Sequence, residues 1–253
     1  MSSKVKISSI LLLIILSVIT GYFSLTLESN TQETINEVDI LNTYHLSADQ
    51  YKTYANLNLE DFSHVNIGIV KDRLEKHPYV SKVEVKFDAD KKVVARITEK
   101  EFYAILINDS KKYYLSEDFE LLPLIIDTRD GNYPIILNPA LDKKPKIFQF
   151  INGNKDLQTA FKMIYAMKLL NPELLENISE IDLREGRDIV LTLIDNEYPI
   201  VIGRKNEVTK IAYLNRIWKF LKEENSDQVL EYIDFRYDEN VYLGLSEEKG
   251  IGV

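Results

Sequence analysis

Residues 77–99 read HPYVSKVEVKFDADKKVVARITE, and they carry the clearest secondary-structure signal in the chain. Val83, Val85 and Phe87 alternate with polar residues, Val93–Thr98 repeats the pattern, and the polar stretch 88–92 lies between. A period of two around a polar turn predicts an antiparallel hairpin with one buried face. Pro78 marks the stop of any helix arriving from upstream. Ile69, Val70, Arg73 and Leu74 recur at helical spacing just before it and predict a helix over 69–77. Ser47 with Gln50 three residues on has the form of a capping box, so a short helix starts there. Residues 35–41 alternate weakly as a strand, and 56–68 read as loop. The order strand, helix, helix, strand, strand predicts a small α+β unit with helices on one face of a three-stranded sheet.

Downstream the pattern changes. The runs 104–107 and 113–115 flank Asn108-Asp-Ser110, a hairpin signal, and 116–120 turns again. Short apolar runs follow at 121–126 and 135–137. Leu157, Ala160, Phe161, Ile164 and Met167 mark an amphipathic helix over 156–170, closed by Asn171-Pro172. Strands are expected at 178–183, 189–194 and 200–202. A second amphipathic helix spans 207–223, and strands at 229–235 and 241–245 close the chain. This half reads as a β-sheet flanked by two helices, with Trp218 in its core.

Upstream, residues 7–27 (ISSILLLIILSVITGYFSLTL) contain no charge across 21 positions. As a helix they span roughly 32 Å, enough for a hydrocarbon core of ~30 Å. Lys4 and Lys6 precede the run and Glu28 is the first charge after it, which predicts a cytoplasmic amino terminus and an exterior remainder. A cleaved signal peptide is the alternative, but no A-x-A site follows the run. Without Lys4 and Lys6 the chain holds 29 basic against 40 acidic residues, a net charge of −11. A surface of that sign repels nucleic acid and anionic lipid.

Catalytic grammar is missing. The 253 residues include no cysteine, which removes disulfide frameworks, thiolate metal sites and cysteine nucleophiles. His45, His64 and His77 have no partner at the spacing of a zinc motif and read as surface or capping residues. No phosphate-cradling glycine loop or nucleophile elbow occurs. Ser246-Glu-Glu-Lys249 has the S-x-x-K form but lies in a polar tail without a K-T-G. No catalytic residue, cofactor or metal site is expected, and a binding or scaffold protein is.

Certain residues resemble a known family. His77-Pro-Tyr-Val80, Val83-Glu-Val85 and Val93–Glu99 resemble the end of a POTRA domain. Tyr113-Tyr-Leu-Ser-Glu-Asp118 resembles the hairpin that follows it in FtsQ/DivIB cell-division proteins. Ile181-Asp-Leu183, Leu191-Thr-Leu193, Ile202-Gly203 with Lys210 and Leu214, and Tyr232-Ile-Asp-Phe-Arg-Tyr237 continue the likeness in order. The resemblance implies a cytoplasmic tail (1–6), a transmembrane helix (7–27), a spacer (28–34), a POTRA domain (35–103), a β domain (104–245) and a polar tail (246–253). It also implies a non-enzymatic divisome scaffold of the bacterial inner membrane, with FtsB/DivIC-type and FtsL-type partners and further partners at the POTRA domain. The family's β domain is understood to bind its FtsB/DivIC-type partner by accepting a strand at the terminal sheet edge, since an edge offers unpaired N–H and C=O groups. In this chain that implies Arg187, Arg236, Tyr237, Val241, Tyr242, Leu243, Gly244 and Leu245. Leu245 stands where a tryptophan is frequent. Two other readings remain: a POTRA-bearing factor for polypeptide transport or outer-membrane assembly, and an anchored cell-wall hydrolase.

Overall fold

The computed structural model describes residues 13, 15–20, 35–58, 62, 64–88, 91–194, 198–223, 230–237 and 240–245. Of the apolar run 7–27, residues 13 and 15–20 are helical, and the rest lies outside the described residues. Among the described residues no helix is long and apolar enough to cross a membrane.

The first unit comprises β1 (Glu37–Leu41), α1 (Ala48–Tyr54), α2 (Ile67–Glu75), β2 (Val80–Phe87) and β3 (Lys92–Glu99). Its sheet order is β1-β3-β2, with β1 parallel and β2 antiparallel to β3. The hairpin of residues 77–99 is thus real, and β1 completes the sheet from its far side. Ser47 Oγ accepts from the Gln50 N–H while Gln50 Oε1 accepts from the Ser47 N–H at 2.7 Å, the reciprocal cap expected of this pair. Asn66 caps α2 by accepting from the Ile69 N–H at 2.9 Å, so the helix starts two residues earlier than its apolar spacing indicates. Glu99, which ends β3, is the lock between strand and loop. One carboxylate oxygen accepts from the Tyr44 N–H and the Tyr51 hydroxyl, the other from the His45 N–H.

The second unit contains β4 (Phe102–Asn108), β5 (Lys111–Ser116), β6 (Leu121–Leu122), β7 (Ile135–Leu137), α3 (Lys155–Leu170), α4 (Pro172–Glu176), β8 (Ile178–Asp182), β9 (Ile189–Leu193), β10 (Ile200–Gly203), α5 (Glu207–Glu223), β11 (Leu230–Asp234) and β12 (Tyr242–Leu245). These strands form one nine-stranded sheet in the order β12-β11-β10-β9-β8-β7-β4-β5-β6. The parallel pairs β7–β8 and β10–β11 need crossovers, and α3 with α4, and α5, supply them. Both long helices pack against each other over a core that includes Leu106, Leu115, Leu157, Ile181, Ile202 and Trp218. Asn171-Pro172 closes α3 as expected, and the same pair opens α4 behind an Asn171 cap. Proline fits the first turn of a helix, where its missing N–H is not needed. The distal edge at β6 is covered by the chain itself: the Leu121 N–H donates to the Gln149 carbonyl and the Phe148 N–H to the Leu121 carbonyl.

The two units share apolar packing. Phe102, Tyr114 and Leu122 of the second sheet point into the core of the first. Phe102 stacks on His45 at 3.7 Å between ring centroids and on Tyr114 at 4.3 Å. The Tyr79 hydroxyl donates to the Pro123 carbonyl and accepts from the Ile125 N–H across the same seam. Burying rings of this size is worth roughly 1.5–3 kcal/mol each, which joins the units more firmly than a linker would. The seam also buries His45, read as a surface or capping residue, whereas His77 is buried within the first unit against Tyr51, Tyr54 and Tyr79.

Candidate partner-binding edge

Strand β12 is the outermost strand of the long sheet, paired antiparallel to β11 and, among the described residues, to nothing on its other side. The register gives Tyr232 opposite Gly244, Ile233 opposite Leu243 and Asp234 opposite Tyr242. The N–H groups of Ile233 and Phe235 donate to the Pro199 and Val201 carbonyls, so these residues face β10. Backbone groups alternate along a strand, so Tyr232 and Asp234 face β12 and bond Gly244 and Tyr242. The N–H and C=O of Leu243 therefore point outward.

The side chains around this edge are apolar and open. Tyr237, Val241, Tyr242, Leu243 and Leu245 are each between 37% and 55% exposed. Leu243 shares its face with the fully buried Ile233 and so prolongs the core under α5 beyond the last strand. On the opposite face the Tyr232 ring lies across Gly244. A Cβ at Gly244 would come within 2.3 Å of that ring, which explains glycine here. Tyr237 meets Tyr242 edge to face at 5.0 Å.

Arg236 closes one end of the strand. Its guanidinium donates to both oxygens of Asp234, at 2.7–3.0 Å, and to Asp188 at 3.1 Å. Burial of the Asp234 carboxyl works to raise its pKa, but the hydrogen bonds and charge of Arg236 outweigh it and hold it below the usual carboxylate range. The same bonds, to Asp234 first and Asp188 second, raise the pKa of Arg236. Gly203 at the end of β10 makes room for this side chain. Its φ is +70°, and a Cβ there would sit 2.8 Å from Arg236 Cγ.

The β8–β9 turn supplies Arg187, whose Nε donates to the Arg184 carbonyl. Its neighbour Asp188 holds Arg236, so Arg187, Arg236, Tyr237 and the start of β12 gather at one end of the sheet. Leu245 lies at the other end of the strand. Arg204 fastens the turn from below, donating to the carbonyls of Arg187 and Leu183 and pairing with the buried Asp156 at 2.9 Å. Beside the edge, a cleft of about 290 Å³ is lined by Thr209, Lys210, Tyr213, Phe235 and Tyr237. Lys210 is buried there and donates to the Ile202 carbonyl at 2.9 Å.

Asp188 and Tyr232 were not singled out from the residues. Asp188 has no local signal, because its partner is 48 positions away. Tyr232 and Gly203 stand inside quoted motifs, but their roles depend on which atoms approach them. Among the described residues no group of three His, Cys, Asp or Glu side chains could hold a metal ion. His77 is committed to structure: its Nδ1 accepts from the Tyr79 N–H, and burial, with a smaller effect of the Lys100 charge, lowers its pKa to about 4.

Residues 104–236, from the start of the second sheet to Arg236, match the family described as "Cell division protein FtsQ/DivIB, C-terminal". The chain is 27% identical over 175 residues to "Cell division protein FtsQ" of Geotalea daltonii, covering 69% of this chain and 62% of that protein. It is 26% identical over 182 residues to the protein of the same name from Geobacter sp. strain M21, covering 71% of this chain and 64% of the relative. The matched part thus spans a little under two thirds of these curated relatives. With more than half of its length matched by the family, the chain belongs to the FtsQ/DivIB cell-division proteins, a non-enzymatic family.

Proposed function

We propose that this protein is a single-pass scaffold of the bacterial division machinery. In this reading 7–27 anchors it in the inner membrane with the amino terminus inside, 35–103 is a POTRA domain and 104–245 a β domain. Its partners are other divisome proteins. An FtsB/DivIC-type chain adds a strand to β12, FtsL-type chains accompany it, and the POTRA domain serves further partners. The observation that carries the reading is the open outer side of β12. An unpaired edge with outward N–H and C=O groups at Leu243, flanked by exposed apolar side chains, suits strand addition.

The tethered guanidinium refines the role of each residue. Arg236 already satisfies two carboxylates, so it acts chiefly as a strut that sets the entry to β12. Among the described residues Arg187 donates from its Nε alone, which makes it the better counter-charge for an acidic partner residue. Tyr237 and Tyr242 form the aromatic contact at the same end. A transport factor with repeated POTRA units and a wall hydrolase find no support in the matched family.

The test is calorimetric titration of the full chain with an FtsB/DivIC-type ectodomain. Tyr237→Ala and a charge reversal at Arg187 should each weaken binding about tenfold while leaving the thermal midpoint within a few degrees of wild type. Wild-type affinity in both variants would show that the docking edge is elsewhere.

A further inference from the structure

The edge of the long sheet opposite β12 carries an apolar turn whose side chains the fold does not require. Lys146–Gln149 is closed as a β-turn by the Gln149 N–H on the Lys146 carbonyl at 3.1 Å, with Ile147 and Phe148 as its central residues. Phe148 has φ +64°, a left-handed backbone in which a bulky L residue is strained and where a turn ordinarily takes glycine or asparagine. Covering β6 accounts for the backbone, since the Phe148 N–H donates to the Leu121 carbonyl at 2.7 Å. It does not account for the side chains, because Asn-Gly would make the same bonds without strain. Ile147 is 46% exposed, Phe148 55% and Phe150 58%. Leu124 and Ile126, just beyond β6, are exposed as well. Turn tips are ordinarily polar; this one sets aliphatic and aromatic side chains in water.

The surroundings of the turn select what covers it. Residues 142–150 hold Lys143, Lys144 and Lys146 against Asp142. Lys143 and Lys146 are exposed and pair with no carboxylate among the described residues, while Lys144 meets Asp109 at 3.5 Å. Glu120, which bridges to Phe150, is already neutralised by Lys100 at 2.7 Å. Apolar side chains on a projecting turn with lysines at its base fit a bilayer interface, where rings sink among acyl chains and ammonium groups reach lipid phosphates. The acidic chain as a whole opposes anionic lipid, so the contact is local and driven by the apolar side chains. A bilayer is near on this side. Leu122, next to the Leu121 that holds the turn, packs into the core of the first unit, which in the reading proposed above follows the anchor. We propose that the 146–150 turn dips into the outer interface of the bilayer that the anchor crosses; the site is new, and the tether rests on that reading. The β12 edge, eight strand spacings or roughly 38 Å away along the sheet, stays clear of it.

The experiment reconstitutes the full chain in phosphatidylcholine vesicles, with and without brominated acyl chains, and reads tryptophan emission. Wild type is the baseline, because Trp218 is buried in the core of the second unit and should not respond to bromine. Phe148→Trp should add an emission that bromine reduces by about half, with its maximum shifted to the blue. Ile147→Trp, at a position without left-handed strain, should behave alike and decides the matter if Phe148→Trp lowers the thermal midpoint. Adding Lys143→Glu and Lys146→Glu to either variant should remove most of the quenching, which nonspecific adhesion of a tryptophan would not. Flotation of the vesicles reads the anchor separately. Chain that floats while both tryptophans resist bromine and emit as in water overturns the proposal and leaves the anchor standing. Chain that does not float overturns the anchored reading and the proposal with it.

Discussion

Replacing Leu243 by proline tests strand addition at the level of a single N–H. The register turns this group outward, away from β11, so its loss leaves the β11–β12 ladder complete. One intermolecular hydrogen bond is worth about 0.5–1.5 kcal/mol net. The side chain is 43% exposed, and covering that fraction of a leucine worth ~1.5–3 kcal/mol adds about 0.6–1.3 kcal/mol. Leu243→Ala removes most of the second contribution and should weaken the partner roughly fivefold. Leu243→Pro removes the bond as well and places a ring where the incoming strand must lie, so a loss of about 1–3 kcal/mol, or roughly 5- to 150-fold, is expected. Gly244→Pro is the internal contrast, because its N–H points inward to Tyr232; that change should detach β12 and lower stability. Isothermal titration with an FtsB/DivIC-type ectodomain measures affinity, and urea melts of the same samples measure stability. If Leu243→Pro bound like Leu243→Ala, the partner would be held by side chains alone and the strand-addition argument would be refuted.

Two further changes probe the scaffold. His77 has a folded pKa of about 4, below the ~6.5 of an unfolded histidine, so the unfolded chain takes the proton first as pH falls. Stability from the neutral ring is full above about pH 6.5 and drains away toward pH 4. The advantage of wild type over His77→Gln should shrink by on the order of 2 kcal/mol between pH 7.5 and pH 4.5 in urea titrations, and an unchanged difference contradicts the assignment. Gly203→Ala forces a Cβ into a left-handed backbone and against Arg236. It should cost about 1–3 kcal/mol in urea unfolding and weaken the partner as Arg236 shifts, and a neutral effect on both would count against the strut.

Sequence signals hold wherever their physical cause is local. The Ser47–Gln50 cap, the 77–99 hairpin and the two long helices depend on neighbours within a few residues, and each lies where its pattern indicates. A local signal also hides a second use of the same residue. Pro172 both ends α3 and begins α4, and Asn171 serves as cap to both. The burial of His45 is not legible, because a ring beside a loop gives no hint that a second sheet will cover it. His45 is buried by Phe102, a residue 57 positions on in another sheet.

The candidate edge divides in the same way. Sequence alone determined that an apolar strand follows Tyr232–Tyr237, that its families of catalytic motifs are empty, and that an uncharged run of 21 residues precedes an acidic remainder. These are properties of composition and short-range spacing. Only tertiary structure decided that this strand is outermost, because strand order within a nine-stranded sheet depends on crossovers through α3 and α5. It also decided which backbone groups of Leu243 face outward, since a one-residue change in register would reverse them. The pairing of Arg236 with Asp188 and the seam between the two units arise from contacts across about 50 residues or more, where sequence spacing carries no information.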